Sequence, residues 1–184
     1  MSTENNLKTL YENSIKILSD LIAFKTISGE DNNQLIDYCD KILKKFGATS
    51  FKTFDKDKKR VNLFATLKAK KPNGKAPIIL SGHTDVVPVS KGWATNPFEA
   101  VIKEDKLYGR GSCDMKGFIA CTLAYAPIFS NSDLNRDIHF SFIFDEETAC
   151  KGAPILIELS YNDSKLFSVL IYNINYILNL WKNK

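Results

Sequence analysis

Three short segments, each with a metal-binding side chain and spaced just over thirty residues apart, constrain this chain most. They read His83-Thr84-Asp85, then Gly109-Arg110-Gly111-Ser112-Cys113-Asp114-Met115-Lys116-Gly117, then Asp145-Glu146-Glu147. A histidine, a carboxylate able to bridge and a second carboxylate suit a zinc site with a hydrolytic role. A fold that uses them together must bring three distant turns to one place. The supply of such ligands then ends, because no histidine follows His139 and no acid follows Asp163.

Hydrophobic periodicity shows how the turns could meet. Leu7, Leu10, Ser14, Ile17, Leu18, Leu21 and Ile22 keep helical spacing and predict a helix to about Phe24. Leu35, Cys39, Ile42, Leu43 and Phe46 form a second helical stripe, with Gly47 placed to end it. Strands are expected over 49–54, 61–67 and 77–80, with a polar Pro- and Gly-containing loop at 68–76. Residues 98–103 and 106–108 read as a hairpin around Glu104-Asp105. An apolar helix over 118–129 follows the Gly-rich turn. Ile138, Phe140, Phe142 and Phe144 alternate with His139, Ser141 and Ile143 as in a strand of a covered sheet, and a helix spans about 151–159.

Helices alternating with strands predict an α/β fold with a mixed, largely parallel sheet and helices on both faces. His83 and Asp85 follow one strand end, Glu146 and Glu147 follow another, and Asp114 lies at a turn before a helix. Ligand sites in open α/β sheets collect outside the carboxyl ends of strands, so the three motifs can converge there.

Length bounds the rest: 184 residues make about one domain, with 44% hydrophobic residues for its core. The net charge of +4 is mild, and the lysines of 52–60 and 68–75 alternate with acids, Pro and Gly without an aromatic platform. They predict solvated turns and no nucleic-acid partner. Cys39, Cys113, Cys121 and Cys150 lack Cys-x-x-Cys pairing, and residues 1–6 have no charged and apolar leader. The expectation is a cytoplasmic chain with reduced cysteines.

With the flanks Leu-Ser-Gly-His-Thr-Asp-Val-Val-Pro-Val and Phe-Ile-Phe-Asp-Glu-Glu-Thr, the chain resembles a metallopeptidase family. It holds acetylornithine deacetylase, succinyl-diaminopimelate desuccinylase and aminoacylase. The resemblance covers about residues 7–160. Gly-Ser-Cys-Asp-Met-Lys-Gly-Phe-Ile-Ala and Asp-Glu-Glu-Thr-Ala-Cys-Lys-Gly-Ala-Pro look most like the deacetylase branch, because desuccinylases usually carry small residues where Ser112 and Cys113 stand.

The resemblance implies a zinc-exopeptidase-like catalytic domain holding two divalent ions, zinc or alternatively cobalt. His83 would ligate one ion, Asp114 would bridge both and Glu147 would ligate the second. Asp85 would orient the His83 ring and Glu146 would be the general base on the attacking water. The implied reaction removes the acetyl group from N2-acetyl-L-ornithine, in arginine biosynthesis; desuccinylation or another deacylation is the alternative. The implied partner is a small N-acyl amino acid, with no membrane involved. A cis peptide after Asp114 is also implied.

The bland readings stand beside these. His139, mid-strand, is expected to be packed or hydrogen-bonded, and Trp93 and Phe98 to form a small cluster. Arg110 and Lys116 are expected either to anchor the Gly-rich turn or to meet a substrate carboxylate.

The chain also departs from the family. A full member is about twice as long, with a Gly-Glu-Pro strand and a late histidine that complete the metal shells, and a dimerisation domain that makes it a homodimer. From Tyr161 onward the sequence turns to five Asn with no Gly or Pro, and Phe167, Leu170, Ile171, Ile174, Ile177, Leu178 and Trp181 fall on one helical stripe. The expected organisation is therefore a partial catalytic domain over 1–160 and a divergent tail over 161–184. Truncation predicts little turnover, or a catalytically silent remnant, and an exposed, aggregation-prone sheet edge.

Overall fold

A computed structural model describes residues 3–160 of the chain. The expectations for the tail at 161–184 lie outside the described residues.

Helix α1 (Thr3–Ala23) turns Leu21 and Ile22 fully inward. Helix α2 (Asn33–Lys45) buries Leu35, Ile36, Cys39 and Leu43, the stripe that a 3.6-residue period places on one face. It ends in a Schellman motif: the N–H of Gly47 donates to Lys44 O and that of Ala48 to Leu43 O. That ending needs a left-handed residue, and Gly47 supplies it at φ +87°.

Strand β1 (Thr49–Phe54) pairs antiparallel with β2 (Val61–Leu67) across a short turn. Strand β3 (Ile78–His83) is followed by a separate hairpin, β4 (Val101–Lys103) and β5 (Lys106–Tyr108). Glu104 and Asp105 at its tip both have positive φ, as a two-residue I′ turn requires. Helix α3 (Lys116–Asn131) leads to β6 (Ile138–Ile143) and then α4 (Gly152–Ser160).

The four-stranded sheet runs β1-β2-β6-β3. It is mixed, as expected, but the parallel share is smaller than anticipated: β3–β6 is parallel, while β1–β2 and β2–β6 are antiparallel. The short β1–β2 turn forces the first antiparallel pair, and only the β3-to-β6 connection contains a crossover helix.

Both faces are covered. Leu63, Ala65, Phe140 and Phe142 join α1, α2 and α3 in the main core. Phe64 faces the other way and packs with Leu156 of α4, beside Ile79 and Ile143. This is why β2 and β6 are buried along nearly their whole length, polar side chains included. His139 is buried on that second face, 5.0 Å from the Phe64 ring centroid, with Nδ1 2.8 Å from Thr66 Oγ1. Among the described residues no helix is long and apolar enough to cross a membrane.

Candidate metal centre

Parallel pairing of β3 with β6 builds the site. The register sets His83 opposite Ile143, so the chain leaves both strands at the same end of the sheet. One exit carries Thr84-Asp85 and the other Asp145-Glu146-Glu147. The N–H of Thr84 donates to Ile143 O at 2.8 Å and continues the pairing to the lip of the site.

Asp114 arrives from the turn before α3. That turn is made by close approach: Gly111 sits at φ +82°, and a Cβ there would lie 2.7 Å from Val86 Cγ1. Lys116, fully buried, donates through Nζ to Leu21 O at 2.9 Å and Phe24 O at 2.7 Å, tying the turn to the end of α1. Lys116 thus has the anchoring role and does not face a ligand. Burial lowers its pKa from 10.5 to about 7. Arg110 lies over the Trp93 ring and donates to Pro88 O, a local anchor as well. The Asp114–Met115 peptide is cis.

One ligand atom each from His83, Asp114 and Glu147 lie within 4.8 Å of one another. His83 is buried and its Nε2 is 3.0 Å from Asp114 Oδ1, whereas the Asp114 side chain is 73% exposed. Glu146 Oε2 is 3.9 Å from His83 Nε2 at the rim. The site is therefore a buried imidazole facing carboxylates open to solvent.

Asp85 holds the ring, but through its main chain. His83 Nδ1–H donates to the Asp85 carbonyl at 3.0 Å, while the nearer Asp85 carboxylate oxygen is 3.6 Å away. The carboxylate instead accepts the N–H of Glu146 at 2.9 Å, the N–H of Glu147 at 3.2 Å and the Ser28 hydroxyl at 2.6 Å. Asp85 thus fixes the histidine and the paired glutamates together.

The electrostatics show what this cluster lacks. Burial alone would lower the His83 pKa, but its hydrogen bonds to Asp85 and Asp114 raise it to about 9. Burial raises the Glu147 pKa, and the Asp114, Glu146 and Asp85 carboxylates add to this against the opposing pull of His83. Negative groups here are crowded enough to hold a proton on the imidazole and to disfavour ionisation of Glu147. One imidazole nitrogen with two carboxylates is a donor set for zinc, and a divalent cation relieves that crowding. The residues fit the ion.

Several partners of the site escape sequence reading. Buried Asp145, at φ +51°, accepts Gly29 N–H at 2.7 Å and Arg60 Nη1 at 2.6 Å. Buried Asn62 accepts Phe144 N–H at 3.0 Å and donates to Gly152 O and Thr53 Oγ1. The available signals were faint: a charged Arg60 directly before an apolar strand, and an Asn inside it.

Comparison with known proteins agrees with this geometry. Residues 79–180 match Peptidase family M20/M25/M40. The succinyl-diaminopimelate desuccinylase of Rickettsia bellii is 39% identical over 152 residues, covering 79% of this chain and 38% of that protein. That of Rickettsia canadensis is 40% identical over 157 residues, covering 80% and 40%. The chain thus spans about two-fifths of the length of the curated relatives it matches.

Among solved structures, human carnosine dipeptidase 1 superposes with a TM-score of 0.67 at 22% identity, over 85% of this chain and 36% of that one. An aminopeptidase of Bacillus cereus gives 0.63 at 20%, over 78% and 39%. At those identities the likeness is one of fold. Both of these sequence relatives carry the desuccinylase name rather than the deacetylase one that the Gly-Ser-Cys-Asp segment resembles. Cys113 is exposed and Ser112 half-buried, so packing constrains neither position strongly.

Proposed function

The chain belongs to peptidase family M20/M25/M40, a family of metal-dependent peptidases and amidohydrolases, and on that premise we propose that it carries the metal centre of a succinyl-amide hydrolase. The convergence of His83, Asp114 and Glu147 carries this reading. His83, Asp114 and Glu147 would hold the ion or, with Asp114 shared, a pair of ions. Zinc is the proposed metal, with cobalt able to replace it. A divalent cation there supplies Lewis acidity, polarising an amide carbonyl and lowering the pKa of the attacking water.

The remaining work falls to the protein. Glu146 is not a ligand in this scheme; its carboxylate, 38% exposed at the rim, takes the proton of the attacking water and returns it to the leaving amine. Asp85 keeps the His83 ring and the Glu146–Glu147 main chain in one frame. We assign residues 1–160 to a partial catalytic domain and 161–184 to a divergent tail into which the family match still runs, as far as residue 180.

The relatives' names point to succinyl-diaminopimelate as substrate. N2-acetylornithine is the second reading, favoured only by the wording around Asp114. Both are small N-acyl amino acids, so the chemistry at the scissile amide is shared and the acyl pocket decides. Turnover by the chain alone is expected to be slow, since three donors converge among the described residues.

The test is a zinc titration of the purified chain followed by assay with both substrates. Binding is expected, and each of His83→Ala, Asp114→Asn and Glu147→Gln should weaken it. Slow succinate release is expected to exceed acetate release and to fall about 10²–10⁴-fold in Glu146→Gln. Acetate release in excess would replace the desuccinylase reading with the deacetylase one. A chain that binds no zinc would reject the centre itself.

A further inference from the structure

Outside the cluster lies an ion-pair relay that the proposed chemistry does not use. Arg60 stands at the start of β2 with its side chain mostly buried. Its Nε donates to Asp55 Oδ2 at 2.8 Å, its Nη1 donates to Asp145 Oδ2 at 2.6 Å, and its guanidinium carbon is 5.6 Å from the Phe144 ring centroid. A planar guanidinium can serve both carboxylates at once and still lie on the ring.

Asp145 directly precedes the paired glutamates, and its side chain is 1% exposed. Its other oxygen accepts Gly29 N–H, and the neighbouring Ser28 hydroxyl binds Asp85. Asp85 in turn accepts the amides of Glu146 and Glu147. The glutamate pair is therefore held from two sides by two buried carboxylates joined through Ser28-Gly29. Arg60 is the only cation paired with either of them among the described residues, His83 excepted.

We propose that Arg60 is a positioning residue for the metal centre, setting the main chain of Glu146–Glu147 by anchoring Asp145. It touches no substrate or reacting atom. Without the guanidinium, Asp145 is a buried carboxylate served by one N–H. It must leave that pocket, and its departure releases the turn whose amides Asp85 holds. The inference rests on the metal-centre reading for its consequence, but the positioning itself belongs to the metal-free chain.

Two measurements on the full chain test it: amide exchange across residues 144–148 without metal, and Zn2+ affinity by competition with a chromophoric chelator. Arg60→Met is expected to speed exchange of the Glu146 and Glu147 amides at least about tenfold relative to those inside β6. It should weaken Zn2+ binding by about 10- to 100-fold, as loss of a residue supporting metal ligands does.

Arg60→Lys keeps the charge but cannot serve both acids, so a smaller loss in the same direction is expected. It carries the test if Arg60→Met does not fold. Asp55→Asn removes the other partner of Arg60 and should change both readouts less than about threefold. On an Asp145→Asn background, Arg60→Met should add little, since the path it acts through is gone.

Unchanged exchange in Arg60→Met, or in Arg60→Lys if that variant stands in for it, would overturn the proposal. So would an Asp55→Asn effect as large as that of Arg60→Met, or full additivity with Asp145→Asn. A wild-type chain that binds no Zn2+ would reject the metal-centre reading, while the exchange comparison would still decide the positioning role.

Discussion

The Asp114 turn and the Glu146–Glu147 turn deliver the same kind of side chain to the same place, and they are held by opposite means. The first is fixed by shape: Gly111 nestles against Val86, and Lys116 reaches back to two main-chain carbonyls of the α1 end. The second is fixed by charge: Asp145 is clamped by Arg60 and Gly29, and Asp85 gathers two amides and a hydroxyl. A shape-held turn fails when an atom is added, and a charge-held turn when one is removed. The two should therefore respond to different substitutions.

The largest effect is expected at the charge-held turn. Asp145→Ala breaks a buried ion pair and should cost about 3 kcal/mol in urea unfolding. A loss under about 1 kcal/mol would mean that charge does not hold this turn. Gly111→Ala, adding one methyl at positive φ against Val86, should cost about 2 kcal/mol by the same measurement. Finding that variant neutral would remove the steric half of the contrast.

Lys116 offers a pH test of the shape-held turn. Its folded pKa of about 7 lies below the usual 10.5, so just above pH 7 the unfolded chain binds more protons than the folded one. The Lys116 contribution to stability then rises with pH, by about 1–2 kcal/mol up to roughly pH 8.5, while that of His83, whose folded pKa of about 9 lies above the usual 6.5, falls over the same range. Denaturant titrations of the wild type and of Lys116→Met at several pH values would show the rise as the difference between the two profiles. Asp55 acts in the same direction, at lower pH. Burial would raise its pKa, but the backbone N–H and side chain of Arg60 together hold it below the usual carboxylate range. Its contribution is present above about pH 4 and lost on further acidification.

The smallest stability effect is expected at the ligand itself. Asp114→Asn, with a mostly exposed side chain, should change unfolding by less than about 0.5 kcal/mol. The same variant should lose at least about tenfold in zinc affinity, so the pair of measurements separates ligand from scaffold.

The sequence revealed the candidate ligands of this site better than the residues that hold them. His83, Asp114 and Glu147 stood out because chemistry-bearing residues at strand ends have few structural excuses. The elements were legible too, since β2 and β6 keep period two and α2 keeps 3.6. What could not be read was partnership. Nothing in the apolar run of β6 says that it inserts between β2 and β3, because several sheet orders bury the same side chains. Arg60 and Ser28 looked like ordinary turn residues, and their partners lie 85 and 57 residues away. The parallel share of the sheet was overstated for the same reason: strand direction depends on which neighbour is chosen.

The place of β6 in the sheet also sets an order of events. Strands β2 and β3 are made first, separated by only a short loop, and run in opposite directions in the finished sheet. The local and therefore fast outcome is for them to pair directly as a hairpin. The native sheet requires the later strand to enter between them. Until it does, His83 has no neighbour from residues 145–147, and a cation in the surrounding medium meets only part of the cluster. Assembly of the site is thus expected to come late, and zinc should stabilise the finished protein far more than it hastens its folding, which refolding and unfolding rates measured with and without zinc would check.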